Sequence, residues 1–355
     1  MAEPDNDAAL LRVIGLRTRL DVGGATAYPV DGVSFELRHG QTLALVGESG
    51  SGKSMTALSL MGLLPRGVAR VAAGRAELDG RDLLALPPKQ MRRMRGLEIA
   101  YMPQDPVSAL NPALTVGRQV AETLLVHRTA GRQQALARAE ALLRRMGLPN
   151  LPQALDAYPH QLSGGMRQRV VLAMALIGNP KVLIADEPTT ALDVTTQEQI
   201  IELLLDMQHE TRLGLILITH DMGVVARIAT DVMVMYAGKP VEHGTVDEVF
   251  EAPTHPYTRG LLESVSFEAL PPGARLRSIE GVPPPLDRLP AGCPFHPRCR
   301  YAIPVCSAET PDLAAVPSST SVSACHVARD GALPPFELGP RVGGPQAGLA
   351  GEARR

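Results

Sequence analysis

Short, mainly apolar runs alternate along the chain with longer segments in which apolar residues recur every three or four positions. The runs cover 42–46, 97–102, 182–185, 213–219 and 232–236, each bounded by Gly, Pro, Asp or a polar turn. Such runs predict strands buried on both faces. The segments 53–63, 116–127, 133–146, 164–177 and 196–208 carry the helical period. Alternation of strand and helix on this scale predicts an α/β fold with a mostly parallel sheet. Residues 106–178 read as helical almost throughout, which predicts an inserted helical subdomain.

The pattern breaks near residue 266. Pro271, Pro272, Pro283, Pro284, Pro285 and Pro290 interrupt any long element. The last stretch, 336–355, is rich in Gly, Pro and Ala and predicts a disordered tail. The full 355 residues fit about two domains at ~150 residues each.

Charge and composition narrow the class. Lys and Arg number 35 against 37 Asp and Glu, a net charge of −2, which argues against a nucleic-acid partner. No apolar run reaches the ~18–20 residues of a membrane helix. Glu3, Asp5 and Asp7 open the chain where a secretory signal would be basic. The expectation is a protein that stays inside the cell and meets a membrane only through a partner. Aromatics are 3% with no Trp, so the core must come from Leu, Val, Ile, Ala and Met. The basic run from Lys89 to Arg95 reads as a solvated helix face.

Only four Lys occur, and one of them completes a motif. Gly47-Glu48-Ser49-Gly50-Ser51-Gly52-Lys53-Ser54 matches G-x-x-x-x-G-K-[ST] between a predicted strand and a predicted helix. In such a loop backbone N–H groups turn inward around phosphate oxygens, and the helix N-terminus adds its dipole. Lys53 is placed for the β- and γ-phosphates, and the Ser54 hydroxyl for Mg²⁺. A second apolar strand, from Lys181, ends in Asp186 and Glu187. Asp186 is placed to hold Mg²⁺ and Glu187 to polarise the attacking water.

Kinases, GTPases and motors share those parts. The segment Leu162-Ser163-Gly164-Gly165-Met166-Arg167-Gln168-Arg169 separates them, because it resembles the L-S-G-G-Q signature of ABC transporter ATP-binding subunits, with Met166 in place of Gln. Ser163 can cap the following helix, and Gly164 and Gly165 allow close approach of an anion. The resemblance implies that the anion is the γ-phosphate held by an opposite cassette. It also implies that Gln104 is the Q-loop glutamine that senses Mg²⁺ and that Ala191-Leu192-Asp193 is the D-loop. His220 is then the switch histidine. The family stacks adenine on an aromatic residue before the phosphate loop. The simplest register puts Leu20 there, with Tyr28 nearby.

The implied architecture is a P-loop NTPase cassette over 1–265 with its helical subdomain at about 106–178. A small Cys-rich domain follows over 266–335. Two cassettes would meet head to tail around two ATP molecules, close on binding and open on hydrolysis. Tyr101-Met-Pro-Gln-Asp-Pro106, Ala185-Asp-Glu-Pro-Thr-Thr-Ala-Leu-Asp193 and His255-Pro-Tyr-Thr-Arg-Gly-Leu-Leu262 resemble the dipeptide/oligopeptide importer branch, closest to its D-type subunit. The resemblance implies a paralogous F-type cassette as partner, two transmembrane permease subunits and an extracytoplasmic substrate-binding protein. It places the chain peripherally on the cytoplasmic face of the bacterial inner membrane. Some members of the branch serve nickel or glutathione. A soluble ABC ATPase would carry two cassettes or a long coiled-coil insertion, and neither is present. A vestigial cassette conflicts with the intact Lys53, Asp186, Glu187 and His220.

The four cysteines are spaced Cys293-x5-Cys299-x6-Cys306-x18-Cys325. Spacing alone leaves Zn²⁺, a [4Fe–4S] cluster and free thiols open, with His296 and His326 available for a Cys/His zinc variant. D-type importer subunits carry a four-Cys [4Fe–4S] domain, and Cys293-Pro-Phe-His-Pro-Arg-Cys299 resembles its motif, which favours iron–sulfur.

Overall fold

The computed structural model describes residues 9–190, 192–265, 279–317 and 319–336. Ala191 of the expected D-loop, most of the expected boundary region after 265 and nearly all of the expected tail lie outside them.

The strands in chain order are β1 (Ala9–Val22), β2 (Ala25–Arg38), β3 (Thr42–Val46), β4 (Ala69–Leu78), β5 (Arg81–Asp82) and β6 (Ile99–Met102). They continue with β7 (Val182–Asp186), β8 (Gly214–Thr219), β9 (Asp231–Tyr236), β10 (Lys239–Thr245), β11 (Ala314–Ala315) and β12 (Val322–Ser323). The main sheet runs β11-β12-β10-β9-β3-β8-β7-β6. Its pairs among β9, β3, β8, β7 and β6 are parallel. The five apolar runs read from the sequence all fall here. The first residues of two runs, Leu97 and Leu213, lie outside the strands as turn and loop.

A second, antiparallel sheet in the order β2-β1-β4-β5 was not anticipated. It packs over the helix Lys53–Leu60. Leu11, Val13, Val33, Leu78, Ala57, Leu60, Leu43, Leu45, Ile184 and Ile218 share one core. Strand period puts the intervening residues on the other face. There Ala100, Met102, Leu183, Ala185 and Leu217 meet the helices Val116–Val126, Arg132–Arg145, Gly164–Leu176 and Val194–Thr211. The helix Lys53–Leu60 stops short of the expected 63 because Gly62 turns the chain at φ 58°.

The cysteine-bearing segment extends the main sheet, since β12 pairs with β10 at Glu242↔Ser323 and His243↔Val322. Its Phe295 is buried with Tyr236, Tyr257, Val46 and Val234. No described helix is long and apolar enough to cross a membrane.

Candidate active site

Strand β3 delivers the chain into the loop 47–52, and the helix Lys53–Leu60 receives it. Gly47 (φ 145°) and Gly52 (φ 109°) take backbone that L side chains rarely adopt. A Cβ on Gly47 would run into the Met235 carbonyl oxygen, and one on Gly52 into that of Pro29. The turn between β9 and β10 holds the loop from outside, as Gly238 N–H donates to Ser51 O at 3.0 Å. Lys53 lies inside the loop. Its Nζ donates to Gly47 O (2.7 Å), Glu48 O (3.0 Å) and Ser51 Oγ (3.3 Å). Burial lowers its pKa, opposed by the nearby carboxylates of Glu187, Asp186 and Glu48. An ammonium held only by neutral acceptors is suited to a phosphate.

Asp186 ends β7 and is 2% exposed. Its Oδ2 accepts from the Tyr101 hydroxyl at 3.0 Å, while Oδ1 is buried with no hydrogen-bond partner among the described residues. Burial raises its pKa, and the Ser54 and Tyr101 hydroxyls pull it back. A buried orphan carboxylate oxygen beside a hydroxyl fits an oxygen-liganded Mg²⁺.

Glu187 has left-handed backbone (φ 50°), held by its N–H donating to Ile218 O at 2.8 Å. That conformation costs an ordinary residue roughly 1–2 kcal/mol, so the surrounding structure must impose it. It aims the carboxylate at a polar group of three. Oε2 accepts from Gln104 Nε2 (2.9 Å) and Thr190 Oγ1 (2.8 Å), and Oε1 lies 3.3 Å from His220 Nδ1. Gln104, Glu187 and His220, read separately from the sequence, thus meet at one point. Thr190 was missed, though it lies in the quoted Ala185–Asp193 motif. Tyr101 was quoted only as part of a family motif, with no role.

Ser163 makes its contacts elsewhere. Its hydroxyl caps the helix Gly164–Leu176, accepting from Met166 N at 3.3 Å. Gly165 packs toward Thr196 at the start of the helix Val194–Thr211. Asp193 caps that helix, accepting from Thr196 N (2.9 Å) and Thr196 Oγ1 (2.8 Å), bonds that lower its pKa. Gln168 ties the signature helix to the segment after Glu187, donating to the Pro188 carbonyl at 2.6 Å.

Comparison with known proteins identifies the family. The ABC transporter family model matches residues 30–190, and the model of the oligopeptide/dipeptide transporter C-terminal region matches 241–306. The dipeptide transport ATP-binding protein DppD of Bacillus subtilis is 51% identical over 297 residues, 84% of this chain and 88% of that protein. The chain belongs to the ATP-binding proteins of ABC transporters. The oligopeptide transport ATP-binding protein OppD of Bacillus subtilis is 44% identical over 338 residues, 95% of this chain and 92% of that one. Among solved structures, the ATP-binding cassette MJ0796 in its post-hydrolysis dimer with ADP and Pi superposes with a TM-score of 0.60. It is 26% identical and covers 66% of this chain and 98% of its own. The chain is accordingly an ABC cassette with the P-loop NTPase fold, and an ATPase.

Of the two residues considered for adenine stacking, Leu20 pairs with Ala27 across the β1–β2 hairpin. One face of the Tyr28 ring carries the Arg17 guanidinium, 3.9 Å from its centroid. The four cysteines are free thiols and line one small pocket with His255 and Phe295. Burial, and beyond it repulsion from neighbouring thiols, pushes Cys293 and Cys299 up to about 11. Among the described residues no three His, Cys, Asp or Glu side chains are arranged to hold a metal ion.

Proposed function

We propose that this chain is the ATP-hydrolysing subunit of an importer that takes up di- and oligopeptides through membrane permease partners. The convergence of Gln104, Glu187 and His220 beside the Lys53 loop carries the catalytic half of this reading. The peptide-transport relatives carry the substrate half. Gly47, Ser49, Gly50, Ser51, Gly52 and Lys53 cradle the phosphates. Ser54, Asp186 and Gln104 would hold Mg²⁺, which would supply charge neutralisation for the transferred phosphoryl group. Glu187 takes a proton from the attacking water while Gln104 and Thr190 fix its carboxylate. His220 donates toward the developing charge.

The site is completed by a second cassette of the F-type, whose nucleotide is met by Ser163, Gly164 and Gly165 of this chain and by the Asp193 turn. Two permeases and an extracytoplasmic binding protein finish the importer, with this chain peripheral on the cytoplasmic face of the inner membrane. Its organisation is a cassette to about 265, with helical subdomain 106–178, followed by a Cys-rich unit to about 335. In that unit Cys293, Cys299, Cys306 and Cys325 would hold a [4Fe–4S] cluster by drawing closer than they stand here, where no three of them are arranged for a metal ion. The gathering of four free thiols around one pocket supports that donor set. Such a cluster would supply a structural staple to a segment poor in core.

Purification of the whole complex and assay of ATP hydrolysis with a peptide panel tests the reading. Expected are stimulation by peptides and about four iron and four sulfide per copy of this chain. A complex indifferent to every peptide contradicts the substrate class, and absence of labile sulfide contradicts the cluster.

A further inference from the structure

Glu48, an unspecified position of the phosphate-loop motif, is gripped from outside the loop at both its backbone and its side chain. Its N–H donates to the Tyr257 hydroxyl at 2.7 Å. Its carboxylate accepts a fork from Arg298, Nη1 to Oε2 at 2.7 Å and Nη2 to Oε1 at 3.0 Å. The Arg298 side chain is only 5% exposed, and its other donors reach Glu280 O (2.8 Å), Gly281 O (3.3 Å) and Tyr236 Oη (3.3 Å). Arg298 is buried while Glu48 is partly exposed, so removing the Glu48 carboxylate leaves a buried guanidinium without its counter-charge. Glu48 also turns its own carbonyl onto Lys53 Nζ at 3.0 Å. A shift of Glu48 therefore moves the acceptors that place the lysine.

Arg298 immediately precedes Cys299. The turn that carries it is wound on the cysteines themselves. His296 N donates to Cys293 O (3.0 Å), Arg298 N to Phe295 O (3.0 Å), Cys299 N to His296 O (3.2 Å) and Cys293 N to Cys306 O (2.8 Å). Phe295, in the same turn, packs its ring 5.3 Å from that of Tyr257, the residue that holds the Glu48 backbone. Two routes thus run from the cysteine-lined pocket to one residue of the phosphate loop.

We propose that Arg298 is a positioning residue for the nucleotide: through Glu48 it holds the phosphate loop in its binding shape and makes nucleotide affinity depend on the cysteine turn. The inference rests on the reading that the Lys53 loop binds nucleotide. Linkage requires the converse, that bound nucleotide stabilises the turn 293–299.

The test uses the full chain and Mg-ADP, which does not turn over, with affinity read by titration calorimetry. R298A and E48Q are each expected to weaken ADP about tenfold, the cost of a lost hydrogen bond to a charged group. The double variant is expected to stay within about twofold of the weaker single one, because the two residues act through one contact. ADP is expected to slow amide exchange over 293–299 in the unaltered chain and not in R298A. An R298A chain that binds ADP like the unaltered one, or losses that multiply in the double variant, overturns the proposal. If R298A fails to melt cooperatively, R298K takes its place. It keeps the charge without the fork, so at least about a threefold loss is expected, and unchanged affinity overturns the proposal. K53A separates the two levels. Unchanged ADP binding in K53A removes the loop reading and this inference with it. Lost binding in K53A beside unchanged binding in R298A removes this inference alone.

Discussion

Glu187 gathers three polar side chains around one carboxylate. Its left-handed backbone, its two hydrogen bonds at Oε2 and the His220 ring at Oε1 fix the direction of that carboxylate. On the proposed mechanism the side chain matters to the reaction through its basicity and little to binding, which falls to Lys53 and the loop. Glu187→Gln keeps the shape and removes the base. Steady-state hydrolysis is expected to fall at least about 100-fold, with ATP affinity by equilibrium binding within about threefold. A variant that turns over at the unaltered rate refutes the role. The residue types at 53, 54, 104, 186, 187 and 220 were legible because each ends or follows a buried strand at a motif spacing. Arg298, Tyr257 and Tyr101 were not legible as partners, because each acts across a long stretch of sequence, Arg298 on Glu48 at a separation of 250.

At the scale of elements, the parallel strands were readable because both faces are buried and the run is therefore unbroken. Strands β3, β7 and β8 show this along their whole length. The antiparallel sheet escaped for the opposite reason. Strand β4 buries little of its length, and β1 and β2 pair through repeated register shifts that blur the alternation. Helix ends were read within a few residues. The elements also fix one another through contacts that no period reveals. Gly178, between the signature helix and β7, lies against Gly96, and a Cβ there would overlap the Gly96 carbonyl oxygen. Gly178→Ala is expected to destabilise the chain by about 2 kcal/mol or more, read as a lower urea midpoint with unchanged slope. A midpoint equal to that of the unaltered chain would show that the backbone gives way at no cost.

For the molecule as a whole, the parallel sheet is the common frame. The tip of β3 holds the phosphate loop, the tip of β7 the acidic pair and the tip of β8 leads into His220. Beyond β10 the cysteine segment extends that sheet and returns to Glu48 through Arg298. The Ser163 turn instead caps its own helix, which suits a turn that serves a facing cassette. The direct test is a structure of the assembled importer carrying E187Q in this chain, loaded with Mg-ATP. Expected are a γ-phosphate about 3 Å from Lys53 Nζ and the Ser163–Gly165 turn at hydrogen-bond distance from the nucleotide of the opposing cassette. A closed, ATP-loaded complex in which that turn touches no nucleotide would contradict the shared site.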